Sequence, residues 1–325
     1  MGVLVCWSVG AETGGAEASS PRLSIIEPAD RSVAEGELTA VSIKADDLGI
    51  DAIRIAVNGV AMSHIPLEKG RNYYCATGTL SFGPNEIQVS AVKGGKVVES
   101  GKVTVFFRSD LSRTYGVSPA GFQKRPFHRK DREAACAACH RMDVAAADIR
   151  PQRPEDSLCY QCHSKITAAY SNVHGPAARW DCLACHERQS APAKYEARTP
   201  SRDLCFVCHE EKRGEWAPKK YVHGPTATGK CTICHSPHAS NNLSWLKKPS
   251  WELCTTCHED RASGAHVIVG FGSGSHPTRG KPDPTRYGKE LSCASCHNPH
   301  ASDSKSLFIN DQQDPYSLCK FCHKV

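Results

Sequence analysis

Residues 223–258 read HGPTATGKCTICHSPHASNNLSWLKKPSWELCTTCH. The stretch holds two Cys-x-x-Cys-His segments, CTICH (231–235) and CTTCH (254–258). A histidine precedes them and another follows three residues past the first. Outward from here the pattern recurs as CAACH (136–140), CYQCH (159–163), CLACH (182–186), CFVCH (205–209), CASCH (293–297) and CKFCH (319–323). These eight segments take 16 of the 18 cysteines. They fall into four pairs whose first cysteines lie 23, 23, 23 and 26 residues apart. A period this regular implies a duplicated unit.

Composition excludes several classes. The chain has 325 residues, 40% hydrophobic and 7% aromatic, and no run of 18 apolar residues, which argues against a transmembrane helix. It is too long for a small disulfide-stapled scaffold, and its cysteines crowd into the second half. Disorder is disfavoured because the first third reads as ordered strands. The formal charge of +6 weakly suggests an acidic partner or nucleic acid.

Zinc is the first rival for the cysteines. Cys136 to Cys162 has the spacing C-x2-C-x19-C-x2-C, which suits a zinc ribbon. Zinc does not ask for a histidine directly after the second cysteine, yet all eight segments carry one. A dithiol redox role would need only one pair. Covalent haem attachment explains both features. Each thiol adds to one vinyl group of the same porphyrin. Two intervening residues, in a helical turn, let both sulfurs reach one porphyrin edge, and the adjacent histidine gives the iron a nitrogen. The attaching cysteines are then Cys136, Cys139, Cys159, Cys162, Cys182, Cys185, Cys205, Cys208, Cys231, Cys234, Cys254, Cys257, Cys293, Cys296, Cys319 and Cys322. The proximal ligands are His140, His163, His186, His209, His235, His258, His297 and His323. Attachment takes place outside the cytoplasm, so the chain is expected to be exported.

The four units resemble the doubled-CxxCH multihaem cytochromes over residues 128–323. The signature is full in pairs three and four, CHSPHAS and CHNPHAS. It is degraded in pairs one and two, CHRMD and CHERQ. The resemblance implies haem c, mostly bis-histidine iron, and electron transfer across the cell envelope.

Eight of the 16 histidines lie outside the motifs, and all are candidates for the far side of an iron. His128, His174, His223 and His276 lead the pairs, and His174 and His223 share the phrase VHGP. His238 and His300 follow a first motif by three residues, His266 stands in ASGAHVIVG, and His64 lies in the first third. Bis-histidine iron has no open position, passes electrons with little rearrangement and keeps a low potential. One haem is left short of a histidine within the haem region. The alternatives, in order, are His64 or a histidine of another chain, an open iron, and Met142.

Eight haems in some 196 residues is about one per 25, too dense for an apolar core around each. The haems must touch, so short helices, long loops and little sheet are expected. Their propionates move the charge from +6 to about −2 in the ferric state, which removes the case for nucleic acid. Basic stretches such as KRPFHRK (124–130) and APKKY (217–221) are assigned to propionates or solvent.

Only Cys6 and Cys75 precede the motifs. MGVLVCWSVGA (1–11) and the polar tract up to residue 20 read as a signal remnant or flexible terminus. Lipidation of Cys6 is disfavoured by Val5 before it. Residues 21–108 carry alternating runs, LTAVSIKA (38–45), AIRIAVNG (52–59), NYYCATGTL (72–80), EIQVSAV (86–92) and KVTVFF (102–107). Turn formers Asn58-Gly59, Gly83-Pro84-Asn85 and Gly94-Gly95 separate them. In EIQVSAV, Ile87, Val89 and Ala91 share one face, and Gln88 and Ser90 the other. EPAD, VNG, an aromatic strand and GPNEIQVSA resemble bacterial immunoglobulin-like modules, which implies a spacer or docking role. Cys75, mid-strand, reads as a buried inert thiol.

The expected architecture is therefore an all-β immunoglobulin-like sandwich (21–108), a linker (109–127) and a mostly irregular, short-helix octahaem cytochrome domain (128–325). The expected role is an electron carrier, periplasmic, outer-membrane-associated or extracellular. Expected partners are other multihaem cytochromes, a porin-type conduit or further copies of the chain. The alternative is a multihaem reductase of nitrogen or sulfur oxyanions with one open haem. No Cys-x-x-Cys-Lys segment occurs to support that alternative.

Overall fold

Alternation of apolar and polar residues builds the first part of the chain. Its strands are β1 (Leu23–Glu27), β2 (Ser32–Ala34), β3 (Leu38–Ala45), β4 (Ala52–Val57), β5 (Val60–Pro66), β6 (Tyr73–Thr79), β7 (Gly83–Lys93) and β8 (Lys96–Phe107). They form two sheets, ordered β1-β3-β6 and β2-β8-β7-β4-β5. The computed structural model describes residues 22–46, 49–137, 139–145, 148–149, 151–198, 201–263, 266 and 276–323. Segment 1–20, with Cys6 and the expected signal remnant, lies outside these residues.

The two inner faces supply one core. Val41, Ile43, Ile53, Tyr74, Ile87, Val89 and Ala91 are fully buried there. Each large apolar side chain in such a core stabilises by about 1.5–3 kcal/mol. Asn85 is also fully buried. Its Oδ1 accepts from Ser81 N (2.8 Å) and Asn58 Nδ2 (3.0 Å), and its Nδ2 donates to the carbonyls of Ser81 and Gly83. Every polar atom of that side chain is thus satisfied, which removes the cost of burying it.

Asn58-Gly59 and Gly94-Gly95 close hairpins with positive φ at both positions. Gly83-Pro84-Asn85 is not a turn; it opens β7. Gly83 (φ +92) must be glycine, because a Cβ there would stand 2.6 Å from the Tyr115 ring. Ser90, expected on an outer polar face, is buried as well. Cys75 corrects a second expectation: it is exposed. The strand's pleat turns Tyr74 into the core, so the next side chain points outward.

The segment 109–127 is strapped to the sandwich. Phe122 and Tyr115 pack against Phe106 with ring centroids 5.7 and 6.1 Å apart. Val33 N–H donates to Gln123 O at 2.9 Å, and Gln123 N–H to Arg31 O at 3.0 Å. The chain divides into two units, 1–144 with 192–194, and 145–191 with 195–325. CAACH therefore belongs to the unit that holds the sandwich. Helix Lys130–Ala137 leads into it, and Arg132 of that helix is bonded to the buried Glu27 of β1. Burial pushes the Glu27 carboxyl up, against the pull of Arg132.

The second unit has helices of four to eight residues, 3-10 turns and two-residue strands. The strands pair as Asn172–Val173 with Ala239–Ser240, His186–Glu187 with Glu196–Ala197, and Tyr221–Val222 with Ala301–Ser302. Among the described residues no helix is long and apolar enough to cross a membrane.

Candidate functional site

Each motif is wound as one tight turn. In seven of the eight, the histidine N–H donates to the carbonyl of the first cysteine, four residues back, at 2.8–3.1 Å. That is the bond of an α-helical turn, and it holds both sulfurs and the imidazole on one side. The first motifs of units two, three and four sit on 3-10 turns (Cys182–Ala184, Cys231–Ile233, Cys293–Ser295). The second motifs close short helices, as in Ser201–Phe206, Ser250–Thr255 and Pro315–Cys322.

Three first-motif histidines share one device. His186 Nδ1 bonds the carbonyl of Tyr195 (2.6 Å), His235 Nδ1 that of Ser244 (2.8 Å), and His297 Nδ1 that of Ser306 (2.7 Å). A carbonyl can only accept, so Nδ1 carries the proton and Nε2 keeps a lone pair for a metal. The loop returns by a left-handed residue, Tyr195, Ser244 or Leu307, and pairs its eleventh residue with the histidine. In units three and four a buried serine fastens this return. Ser240 Oγ donates to Leu246 O (2.5 Å) and Ser302 Oγ to Phe308 O (2.8 Å). The phrase PHAS thus carries two functions, an imidazole and a clamp, of which sequence reading finds only the first.

Six imidazole pairs of the described residues face one another. Each joins one motif histidine to one histidine outside the motifs: His209 with His174, His186 with His238, His258 with His223, His235 with His300, His297 with His266, and His323 with His276. Their ring centroids lie 5.9–6.3 Å apart. Loose aromatic pairs span about 4.5–7 Å, so distance alone does not decide. Two imidazoles on one metal, each nitrogen about 2.0 Å from it and about 1.1 Å from its ring centre, give centres roughly 6.2 Å apart. The spacing and the one-to-one membership of the pairs both suit an iron between the rings.

The two-residue strands set these pairs. His174 N–H donates to His238 O (2.8 Å), and His223 N–H to His300 O (2.9 Å), so each VHGP histidine is placed beside a PHAS histidine. Trp216 stacks on His300 at 4.2 Å, and the Trp245 ring meets His174 edge-on at 5.2 Å. Burial pushes His238 and His300 down to about 4 and lowers His174, His223 and His266. These rings are neutral at pH 7, as metal ligands must be.

Three candidates remain, His128, Met142 and His64. His128 Nδ1 meets the buried Glu133 carboxylate at 2.9 Å, and Lys194 pairs with the same carboxylate at 2.8 Å. Met142 offers its carbonyl to Lys194 Nζ at 3.2 Å. His64 sits on β5 opposite Arg54, with no ring against it among the described residues. Cys139 corrects the sequence reading for this structure: it is disulfide-bonded. A sulfur in a disulfide cannot also form a thioether, so haem attachment at CAACH requires that bond to be reduced first.

Sulfurs of consecutive motifs are neighbours from the second motif to the eighth. Cys159 lies beside Cys182, Cys205 beside Cys231, and Cys254 beside Cys293. In each couple the neighbouring thiol draws one sulfur down, Cys159 to about 7, Cys231 to about 6 and Cys293 to about 7. Burial lifts Cys185, Cys234 and Cys296, and the nearby Cys208, Cys257 and Cys322 add to the effect. Among the described residues no group of three or more His, Cys, Asp or Glu side chains converges on one metal position. Trp245 Nε1 is a buried donor with no acceptor among the described residues, a fit for a cofactor carboxylate beside His174.

Three segments, 174–214, 223–263 and 284–325, match the family described as the doubled CXXCH motif. These segments in the C-terminal half carry the doubled CXXCH motif of multihaem c-type cytochromes, which holds haem covalently. No curated protein matches the chain. Among solved structures, the fibronectin(III)-like modules of Clostridium thermocellum CbhA are 15% identical over 32% of this chain and 99% of theirs, with a TM-score of 0.22. The sulfur carrier protein SoxY from Chlorobium limicola f thiosulfatophilum is 14% identical over 27% of this chain and 80% of its own, with a TM-score of 0.23. A Bacteroides uniformis beta-glucuronidase is 15% identical over 29% of this chain and 11% of its own, with a TM-score of 0.22.

Proposed function

We propose that the chain is an exported octahaem cytochrome that conducts electrons through closely packed, mainly bis-histidine haems. The observation that carries this reading is the set of six facing imidazole pairs. Each would fill both axial positions of one iron with neutral nitrogen and leave no room for substrate. The order of the sulfurs supports conduction. Sulfurs that lie side by side would carry their porphyrin edges close to one another, and electron tunnelling falls off steeply with distance. Neighbouring sulfurs recur from the second motif to the eighth, so the row has no break there. The protein's part is to fix the Nε2 lone pairs, keep the rings neutral and exclude water. The haem supplies the redox couple.

The sandwich serves as a spacer or docking module. The destination is the periplasm, the outer membrane or the cell exterior. The partners are other multihaem cytochromes or a porin-type conduit. Electron paramagnetic resonance of the ferric, haem-loaded protein tests the ligation. Low-spin signals are expected to dominate, and a majority of high-spin iron would overturn bis-histidine conduction.

A further inference from the structure

Among the described residues, Trp245 Nε1 is the one buried side-chain nitrogen or oxygen without a hydrogen-bond partner. Folding takes that N–H away from water and returns nothing for it, so it calls for an explanation. The backbone beneath it is unusual as well. Ser244 (φ +56) and Trp245 (φ +52) are consecutive left-handed residues, a conformation that a ring as large as indole rarely adopts. Such outliers persist where the surroundings fix them, and they gather at functional sites.

The surroundings do fix this one. Ser236 N–H donates to Trp245 O at 2.7 Å, and His235 Nδ1 bonds the Ser244 carbonyl at 2.8 Å. Ser240 Oγ and Asn242 Nδ2 both donate to Leu246 O, at 2.5 and 2.9 Å. The loop is tied in turn to the residues that precede His174. Ala239–Ser240 pairs with Asn172–Val173, and Ser171 N–H donates to Asn241 Oδ1 at 3.0 Å. Indole and the His174 ring are thereby held edge to face.

Unit four shows that the loop does not need the indole. Leu307 stands where unit three has Trp245, with φ +54, and its carbonyl accepts from Asn298 N–H at 2.7 Å. His297 Nδ1 bonds the Ser306 carbonyl just as His235 bonds that of Ser244. The same return is built there with no side-chain donor. The N–H of Trp245 is therefore surplus to the fold and free for a ligand. The ring pair beside it is His174 with His209, whose motif cysteines are Cys205 and Cys208.

We propose that Trp245 is a cofactor-binding residue whose Nε1–H donates to a propionate of the haem attached at Cys205 and Cys208. The inference rests on the haem reading above. The two propionates are the only hydrogen-bond acceptors on the rim of a haem c, and a carboxylate is a stronger acceptor than a neutral oxygen. The bond fixes the rotation of that haem in its site. It also offsets part of the negative field of the propionate at the iron, which holds the potential of this haem up.

The full-length, haem-loaded chain is compared with Trp245→Phe and with Trp245→Leu, which copies unit four. Haem content is measured by intact mass on every sample. Both variants should keep the parent's haem count and low-spin signals. One component of the redox titration at pH 7 should move to lower potential, by up to about tenfold in its reduction constant, or about 59 mV for one electron. The ultraviolet resonance Raman difference against the parent should show the loss of one strongly hydrogen-bonded indole N–H. In a Cys205→Ala, Cys208→Ala chain, Trp245→Phe should move no component. Fully loaded variants whose components all stay in place overturn the proposal while leaving conduction standing. A lost indole band with the frequency of an unbonded N–H overturns it too, and so does a shift that survives removal of the haem. A chain that carries no haem sinks both readings.

Discussion

Made without haem attachment, residues 145–325 will not hold their fold, while the sandwich will. The 16 residues of the buried apolar cluster all belong to the sandwich. In the second unit the described residues supply only Trp180, Ala239, Leu253, Leu291 and Ala301 as buried apolar side chains. Two of those five are alanines. Ordering each residue costs about 1–2 kcal/mol of backbone entropy, and five such side chains cannot offset that over so long a stretch. The porphyrins of its seven motifs would supply the missing apolar surface, so cofactor attachment and folding are one event. Amide exchange on the haem-free chain should show slow exchange in β3, β4, β7 and β8 and near-random-coil rates past residue 145. Comparable protection in both parts would contradict the claim.

The second large effect concerns one buried ring. His300→Ala is expected to leave every haem attached and to convert one from low spin to high spin. The thioethers need only cysteines, so attachment does not depend on His300. The imidazole faces His235 at 5.9 Å and is covered by Trp216, so its removal opens one side of the space between them. Loss of the ring also leaves a cavity against Trp216, at a cost of about 2–4 kcal/mol. The companion His300→Met should stay low-spin and raise the potential of that haem, because His/Met ligation lies above His/His. Spin state by paramagnetic resonance and potential by redox titration read the two variants. A His300→Ala protein with an unchanged low-spin spectrum would show that His300 ligates nothing.

The sequence makes much of this legible, for definite reasons. Cysteine and histidine at fixed spacing report covalent chemistry, and spacing survives any fold. Strands β3, β4, β6, β7 and β8 are visible because one face is buried and alternation is enforced. β1, β2 and β5 lie at sheet edges, where β2 has three residues and β5 is mostly exposed, so the alternation fades. The GPN triplet misleads because its glycine serves close packing by Tyr115. Cys75 misleads because its neighbour Tyr74 takes the inward position. The partner of each histidine is hidden from the sequence. His238 faces His186 from 52 residues away, and the two-residue strand pair beside it has no periodicity to read. The carbonyls of Tyr195, Ser244 and Ser306 are invisible for a related reason: a backbone acceptor leaves no trace in residue type.

Intact-mass measurement of the chain matured in a haem-attaching host tests the central claim most directly. Eight added haems per polypeptide, resistant to denaturation and acid extraction, is the result expected of thioether bonds at every Cys-x-x-Cys-His. A bare polypeptide, or one carrying zinc in place of porphyrin, would contradict the account at its root.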